Sequence, residues 1–288
     1  MQKSSVIAEG IGWPEGLRWY ENLLWFSDTY GTRKVHTINS SGTMTDIGYV
    51  QNAPGGLGWT PNGDLLVVSM EDATLMQISL GGTRAVVVSD LSPHATCLND
   101  MVVDTKGNAY IGDIGFNFGL DDPAKGKILM VTPDGDIKVV AEDLFLPNGL
   151  IISPDGEKLI VAETFGGRLS IFEIQETGSL GERKTFHSFD DEPPAMDMEI
   201  LMSRPVMPDG ICLNAEGGVW VANPLQPLIT CVNRDGEILG EVATSQPGIA
   251  CVLGGSDRKT LYVSTGDMSQ QDGTSGKIES ADVESPGV

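Results

Sequence analysis

Apolar residues in this chain fall in short runs, and the runs recur in a fixed order. Six times a run opens on a marked residue. The openings are Pro14-Glu15-Gly16-Leu17, Pro54-Gly55-Gly56-Leu57, Leu98-Asn99-Asp100-Met101, Pro147-Asn148-Gly149-Leu150, Pro208-Asp209-Gly210-Ile211 and Pro247-Gly248-Ile249. Turn chemistry follows, as in Thr60-Pro61-Asn62-Gly63 and Ser153-Pro154-Asp155-Gly156. A second run then ends in an apolar, apolar, small, X pattern, from Trp25-Phe26-Ser27-Asp28 through Tyr110-Ile111-Gly112-Asp113 to Tyr262-Val263-Ser264-Thr265. A third run, such as Leu169-Ser170-Ile171-Phe172, is visible in most repeats. Several short strands repeating every 40 to 60 residues or so predict an all-β fold, a six-bladed β-propeller with four-stranded antiparallel blades around a central channel. No linker or charge block divides the chain, so residues 1–288 are expected to form one domain.

The six anchors are Glu15, Gly55, Asn99, Asn148, Asp209 and Gly248. Antiparallel pairing brings each anchor to the same face as its blade's X residue. The X residues are Asp28, Met70, Asp113, Glu163, Asn223 and Thr265. Eight of these twelve positions are Asp, Glu or Asn, far beyond their share of the composition. One channel mouth is therefore expected to carry an inner ring of oxygen ligands and an outer supporting ring. Oxygen donors recurring at one point of a repeat suggest a metal at its centre. Local turn geometry explains any single Asn or Asp anchor, but Glu15 has no such preference. The two glycine anchors make the ring lopsided and leave one side open for substrate.

Charge narrows the partners. The net charge of -22 excludes a phosphate-binding surface, so no nucleic acid is expected. The N-terminal residues lead into the first blade with neither a leader nor a membrane span, which makes a cytoplasmic location the default. The four cysteines, Cys97, Cys212, Cys231 and Cys251, lack metal spacing and are expected reduced and packed. His36 and His187 are expected at the surface; His94, just before the Asn99 strand, is a candidate substrate or proton-transfer residue. No GxSxG element presents a nucleophilic serine. Two loops could shape a pocket: residues 115–123, with Phe116 and Phe118, and an acidic, Met-rich insertion at 190–202. For the insertion a solvated loop is the simpler expectation and a lid the alternative.

The Glu15-Gly16 run with Trp19, the Asn99-Asp100-Met101-Val102-Val103-Asp104 block, Asn148-Gly149-Leu150 and Pro208-Asp209-Gly210-Ile211-Cys212 together resemble the senescence marker protein, gluconolactonase and luciferin-regenerating enzyme family. The resemblance extends to the closing Gly276-Lys277-Ile278-Glu279. It implies a lactone-hydrolysing propeller with one divalent metal in the channel. Carried over position by position, it makes Glu15, Asn148 and Asp209 the metal ligands and Asn99 a further ligand or substrate contact. An all-oxygen set favours Ca²⁺, with Mg²⁺, Mn²⁺, Zn²⁺ or Fe²⁺ also able to enter. Asp209 is expected to position or deprotonate the attacking water, and Asn99 to orient a substrate oxygen.

Beside Asn99, the expected substrate contacts are Cys97, Asp113, Phe116, Glu163 and His94, around a small-molecule lactone or ester. Sugar-lactone members often carry arginine where this chain has Cys97, and glycine-rich sequence where it has Asn223-Pro224-Leu225-Gln226-Pro227-Leu228. Both departures point to a less hydroxylated or larger apolar substrate. The alternatives are a non-hydrolytic, strictosidine-synthase-like propeller enzyme and an NHL-like binding platform. A platform needs no convergence of Glu15, Asn148 and Asp209.

Overall fold

A computed structural model describes residues 2–79, 85–117, 119–267 and 274–288; Phe118 lies outside them. Six sheets follow one another along the chain. The first strands of blades 1 to 6 are Pro14–Tyr20, Pro54–Trp59, Leu98–Val103, Pro147–Ile152, Ile211–Leu213 and Gly248–Gly254. Each blade is four antiparallel strands, as expected, and blade 5 gains a short parallel fifth, Gln2–Lys3. The N-terminal segment does not enter blade 1 directly. Ser5–Ile11 instead pairs with Gly276–Asp282 as the outer strand of blade 6, joining the two ends of the ring.

The ring follows from two-sided strands. Alternation sends side chains to both faces of every sheet, and each face packs on a neighbouring blade. Six apolar clusters fill the six seams: Trp25 and Val35 meet Leu57 and Val67 between blades 1 and 2, and Tyr110 and Met130 meet Leu150 and Phe172 between blades 3 and 4. Each fully buried Leu or Ile there contributes roughly 1.5–3 kcal/mol. Cys212 and Cys251 lie in the seam of blades 5 and 6, reduced and buried, with their Sγ atoms 3.8 Å apart.

The channel-lining feature is a repeated break in pairing. In blades 1 to 4 and 6 the ladder of the first strand skips at the anchor, between Glu15 and Arg18, Pro54 and Leu57, Leu98 and Met101, Pro147 and Leu150, and Gly248 and Ala250. A bulge of this kind frees residues from the ladder and re-aims them. The glycines after the anchors admit the neighbouring blade: a Cβ on Gly149 would lie 2.7 Å from the Asp209 carbonyl oxygen, and one on Gly210 2.5 Å from Ala250.

His36 departs from its surface expectation. It is buried, stacked on Phe26, with Nε2 2.8 Å from Thr32 Oγ1 and Nδ1 3.1 Å from Asp46. Burial pulls its pKa down. His187 is half-buried against Phe189. Among the described residues no helix is long and apolar enough to cross a membrane.

Candidate functional site

Asn99, Asn148 and Asp209 are buried at the axial ends of their blades, and Glu15 is part-buried beside them. The Asn99 amide nitrogen donates to the Pro147 carbonyl at 3.4 Å, and that of Asn148 to Thr164 Oγ1 at 3.3 Å. The first bond crosses to blade 4 and the second stays within it, and both leave the amide oxygens as the atoms on offer to a cation. Glu15 Oε1 accepts from the Trp13 indole N–H at 3.0 Å. Asp209 Oδ1 is buried with no hydrogen-bond partner.

The electrostatics of this set are unfavourable for the protein alone. Burial, with the negative charge of Asp100 added, raises the Glu15 carboxyl to about 8 against the pull of Trp13, Gly16 and Arg18. Burial lifts Asp209 well above the usual carboxylate range, and the charges of Glu15 and Asp100 lift it further. Two mutually repelling carboxylates and an orphaned buried oxygen fit a divalent cation. The donors are oxygen only, which suits a hard cation. Among the described residues no group of three His, Cys, Asp or Glu side chains gathers to hold a metal, so such a site relies on its amides.

Arg18, Asp100 and Trp13 did not stand out as site residues in the sequence. Arg18 Nη2 meets Asp100 Oδ1 at 2.6 Å, and its Nε donates to the Leu57 carbonyl at 3.1 Å. Asp100 Oδ2 accepts the Leu150 N–H at 3.2 Å. One ion pair thus links blades 1, 2, 3 and 4. A signal existed: three residues past the anchor, where blade 1 has Arg18, the other blades have Gly58, Val102, Ile151, Cys212 and Cys251.

The outer ring does share the anchors' face: Pro14 pairs with Asp28, Leu98 with Asp113 and Pro147 with Glu163. Its side chains, however, turn to the loops that lead into the anchors. Asp28 Oδ1 accepts the N–H groups of Gly12 and Trp13 at 3.0 and 3.1 Å. Asp113 Oδ1 accepts those of Thr96 and Cys97 at 2.9 and 3.1 Å. Glu163 accepts from Phe145 at 2.9 Å and from the Arg168 guanidinium, and Asn223 Oδ1 from Met207 at 3.2 Å. In blade 6, Glu279 does the same for Ser245 at 3.0 Å. Asp113 and Glu163, expected as substrate contacts, are fully buried in these contacts. Sequence spacing places a residue on a face but does not choose its partners.

A family model for the SMP-30/Gluconolactonase/LRE-like region matches residues 13–267. The chain belongs to that family. Pentonolactonase XacC of Haloferax volcanii is 26% identical over 172 residues, 59% of this chain and 53% of that protein. Lactonase drp35 of Staphylococcus saprophyticus is 28% identical over 158 residues, 54% of this chain and 44% of that protein. The chain thus spans about half the length of the curated relatives it matches. A solved structure described as the calcium-binding protein regucalcin, from Agrobacterium tumefaciens, has a TM-score of 0.81 at 19% identity, covering 100% of this chain and 96% of that one. At that identity the likeness carries the fold.

In this SMP-30/gluconolactonase-like chain Cys97 and Leu146, two residues before Asn99 and Asn148, belong to an apolar cluster. Cys97, Ile114, Phe116, Leu146, Phe165, Leu201 and Met207 form one buried cluster. The insertion takes part in it: Asp197 caps the short helix Met198–Met202, and Leu201 on that helix is fully buried. The rest of the segment is largely exposed, so it is a solvated loop anchored through Leu201. Arg204 ties it down, with Nη1 2.8 and 2.9 Å from the Asp190 carboxylate oxygens. Burial pushes the Cys97 thiol up to about 11, so it meets a ligand as a neutral group. His94 stays exposed on the turn before Asn99.

Proposed function

We propose that the chain is a metal-dependent hydrolase that opens a lactone or a related ester. The observation that carries this reading is the orphaned Asp209 Oδ1 beside the raised Glu15 carboxyl at the centre of a gluconolactonase-family ring. Glu15, Asn148 and Asp209 would hold the ion, with Asn99 as a fourth oxygen or a substrate contact, and Ca²⁺ is the favoured occupant. When bound, a divalent cation supplies a Lewis acid for the carbonyl and neutralises the two carboxylates.

The protein's own groups do the rest. Asn99 and Asn148, fixed through their amide nitrogens, orient oxygen atoms at the reacting centre. Asp209 takes the proton of a water as that water adds to the carbonyl carbon. The ring C–O bond then breaks, and Asp209 returns the proton to the departing alkoxide, so a hydroxy acid leaves. A carboxyl raised by burial is a more effective base near neutral pH than an exposed one.

The test is a panel of sugar, aliphatic and aromatic lactones with metal-stripped protein reconstituted by Ca²⁺, Mg²⁺, Mn²⁺, Zn²⁺ or Fe²⁺. Hydrolysis should return with at least one ion. Asp209→Asn should lower it by about 100-fold or more. Hydrolysis unaffected by chelation would sink the metal assignment, and near-normal turnover by Asp209→Asn would sink the role of Asp209.

A further inference from the structure

We infer that the lactone or ester taken by this channel has an apolar body, alkyl or aryl, and is not a polyhydroxylated sugar lactone; the inference rests on the hydrolase reading above. It comes from the residues two places before each anchor, which form a collar immediately around the oxygen ring. They are Trp13, Ala53, Cys97, Leu146, Met207 and Gln246. Five are apolar or a neutral thiol. The indole N–H of Trp13 is already committed to Glu15. Only Gln246 is a polar residue with capacity to spare, its buried Oε1 having no partner.

Much of the collar backbone is committed as well. Its N–H groups, or those of the adjoining residues, go to the outer ring: Trp13 to Asp28, Cys97 to Asp113, Phe145 to Glu163, Met207 to Asn223 and Ser245 to Glu279. The carbonyls of Ala53, Cys97 and Leu146 accept from Met70, Ile114 and Thr164. The N–H groups of Trp13, Cys97 and Met207, with those of Phe145 and Ser245 beside the collar, are therefore not on offer to sugar hydroxyls. A polyol pressed against Cys97, Leu146 and Met207 would lose water without replacement hydrogen bonds. An alkyl or aryl group loses nothing there and gains apolar contact.

The wall is also built to last. Leu201 joins Phe116 and Phe165 in the cluster above the collar, and the Arg204–Asp190 pair fixes the segment that delivers it. The outer side of the same short helix exposes Met198, Ile200 and Met202.

Two six-membered lactones test the inference on the reconstituted full chain: δ-decalactone, with an alkyl substituent, and glucono-δ-lactone, with hydroxyls. The expected kcat/KM ratio favours δ-decalactone by tenfold or more. Phe116→Ala should lower kcat/KM for δ-decalactone about tenfold, mainly through KM, and lower it for glucono-δ-lactone by a smaller factor. If that variant fails to fold, Leu225→Ala, part-buried against the same cluster, carries the same expectation. Equal or better hydrolysis of glucono-δ-lactone overturns the inference and leaves the hydrolase reading standing. Hydrolysis of neither lactone overturns both.

Discussion

The Trp13 indole N–H donates to Glu15 Oε1 at 3.0 Å, two residues away in sequence and across the entry to blade 1. The bond holds one carboxylate oxygen and leaves Oε2 for another partner. It also works against the burial that raises this carboxyl. Trp13 is thereby a positioning residue for the charge at the centre of the ring.

Trp13→Phe keeps an aromatic ring and deletes the donor. Cation affinity near neutral pH should fall about tenfold, the usual net worth of a hydrogen bond to a charged group. Calorimetric titration of metal-stripped protein measures it directly. Unchanged affinity would remove the positioning role.

Stability should depend on pH in an unusual direction when no cation is bound. The folded pKa of Glu15 is about 8, above its ordinary value of 4.5, so the native state holds the proton more tightly than the unfolded chain. Its contribution is fully present below about pH 4.5 and is lost as pH rises through about 8; Asp209 is shifted in the same direction. With chelator, the melting temperature should drop by a few degrees between pH 6 and pH 9. With saturating Ca²⁺ that drop should shrink or reverse, because the ion binds the ionised carboxylates.

Arg18→Ala leaves Asp100 unpaired and releases the Leu57 carbonyl. The expected loss is about 3 kcal/mol in urea unfolding, the scale for stripping one partner from a buried pair. Arg18→Lys should recover only part, since an ammonium cannot serve Asp100 and Leu57 in the same fork. Adding Asp100→Asn to Arg18→Ala should restore stability, because the uncompensated charge is gone.

Glu163→Gln separates support from chemistry. Glu163 accepts from Arg168 Nε and Nη2, both at 3.0 Å, and from Phe145 N–H at 2.9 Å. Losing its charge should cost about 2 kcal/mol of stability, while kcat of the folded protein stays within about twofold. A 100-fold fall in kcat with normal stability would return Glu163 to the reacting centre.

Much of this was legible in the chain. The six openings, their turns and the X positions translate directly into strands, since strand alternation and turn chemistry are local properties. Pro147 opposite Glu163 and Leu98 opposite Asp113 confirm the predicted face of the X residues. Their partners were not legible: a fully buried carboxylate takes whatever N–H groups the loop presents, and the loop's path is set by the whole ring. His36 shows the same limit. It was expected at the surface, but Phe26 and Asp46, which contact it, lie on other strands.

By itself the sequence determined the six-fold repeat, the anchors and the asymmetry of the two glycine blades, because each is written in residues close together along the chain. Only the tertiary structure decided that Ser5–Ile11 joins the ends of the ring, that Leu201 packs with Phe116 and Phe165 and that Arg18 reaches Asp100. Those contacts join residues far apart in sequence. They exist because six two-sided sheets bury both faces only by packing around an axis, which brings distant loops together over its mouth.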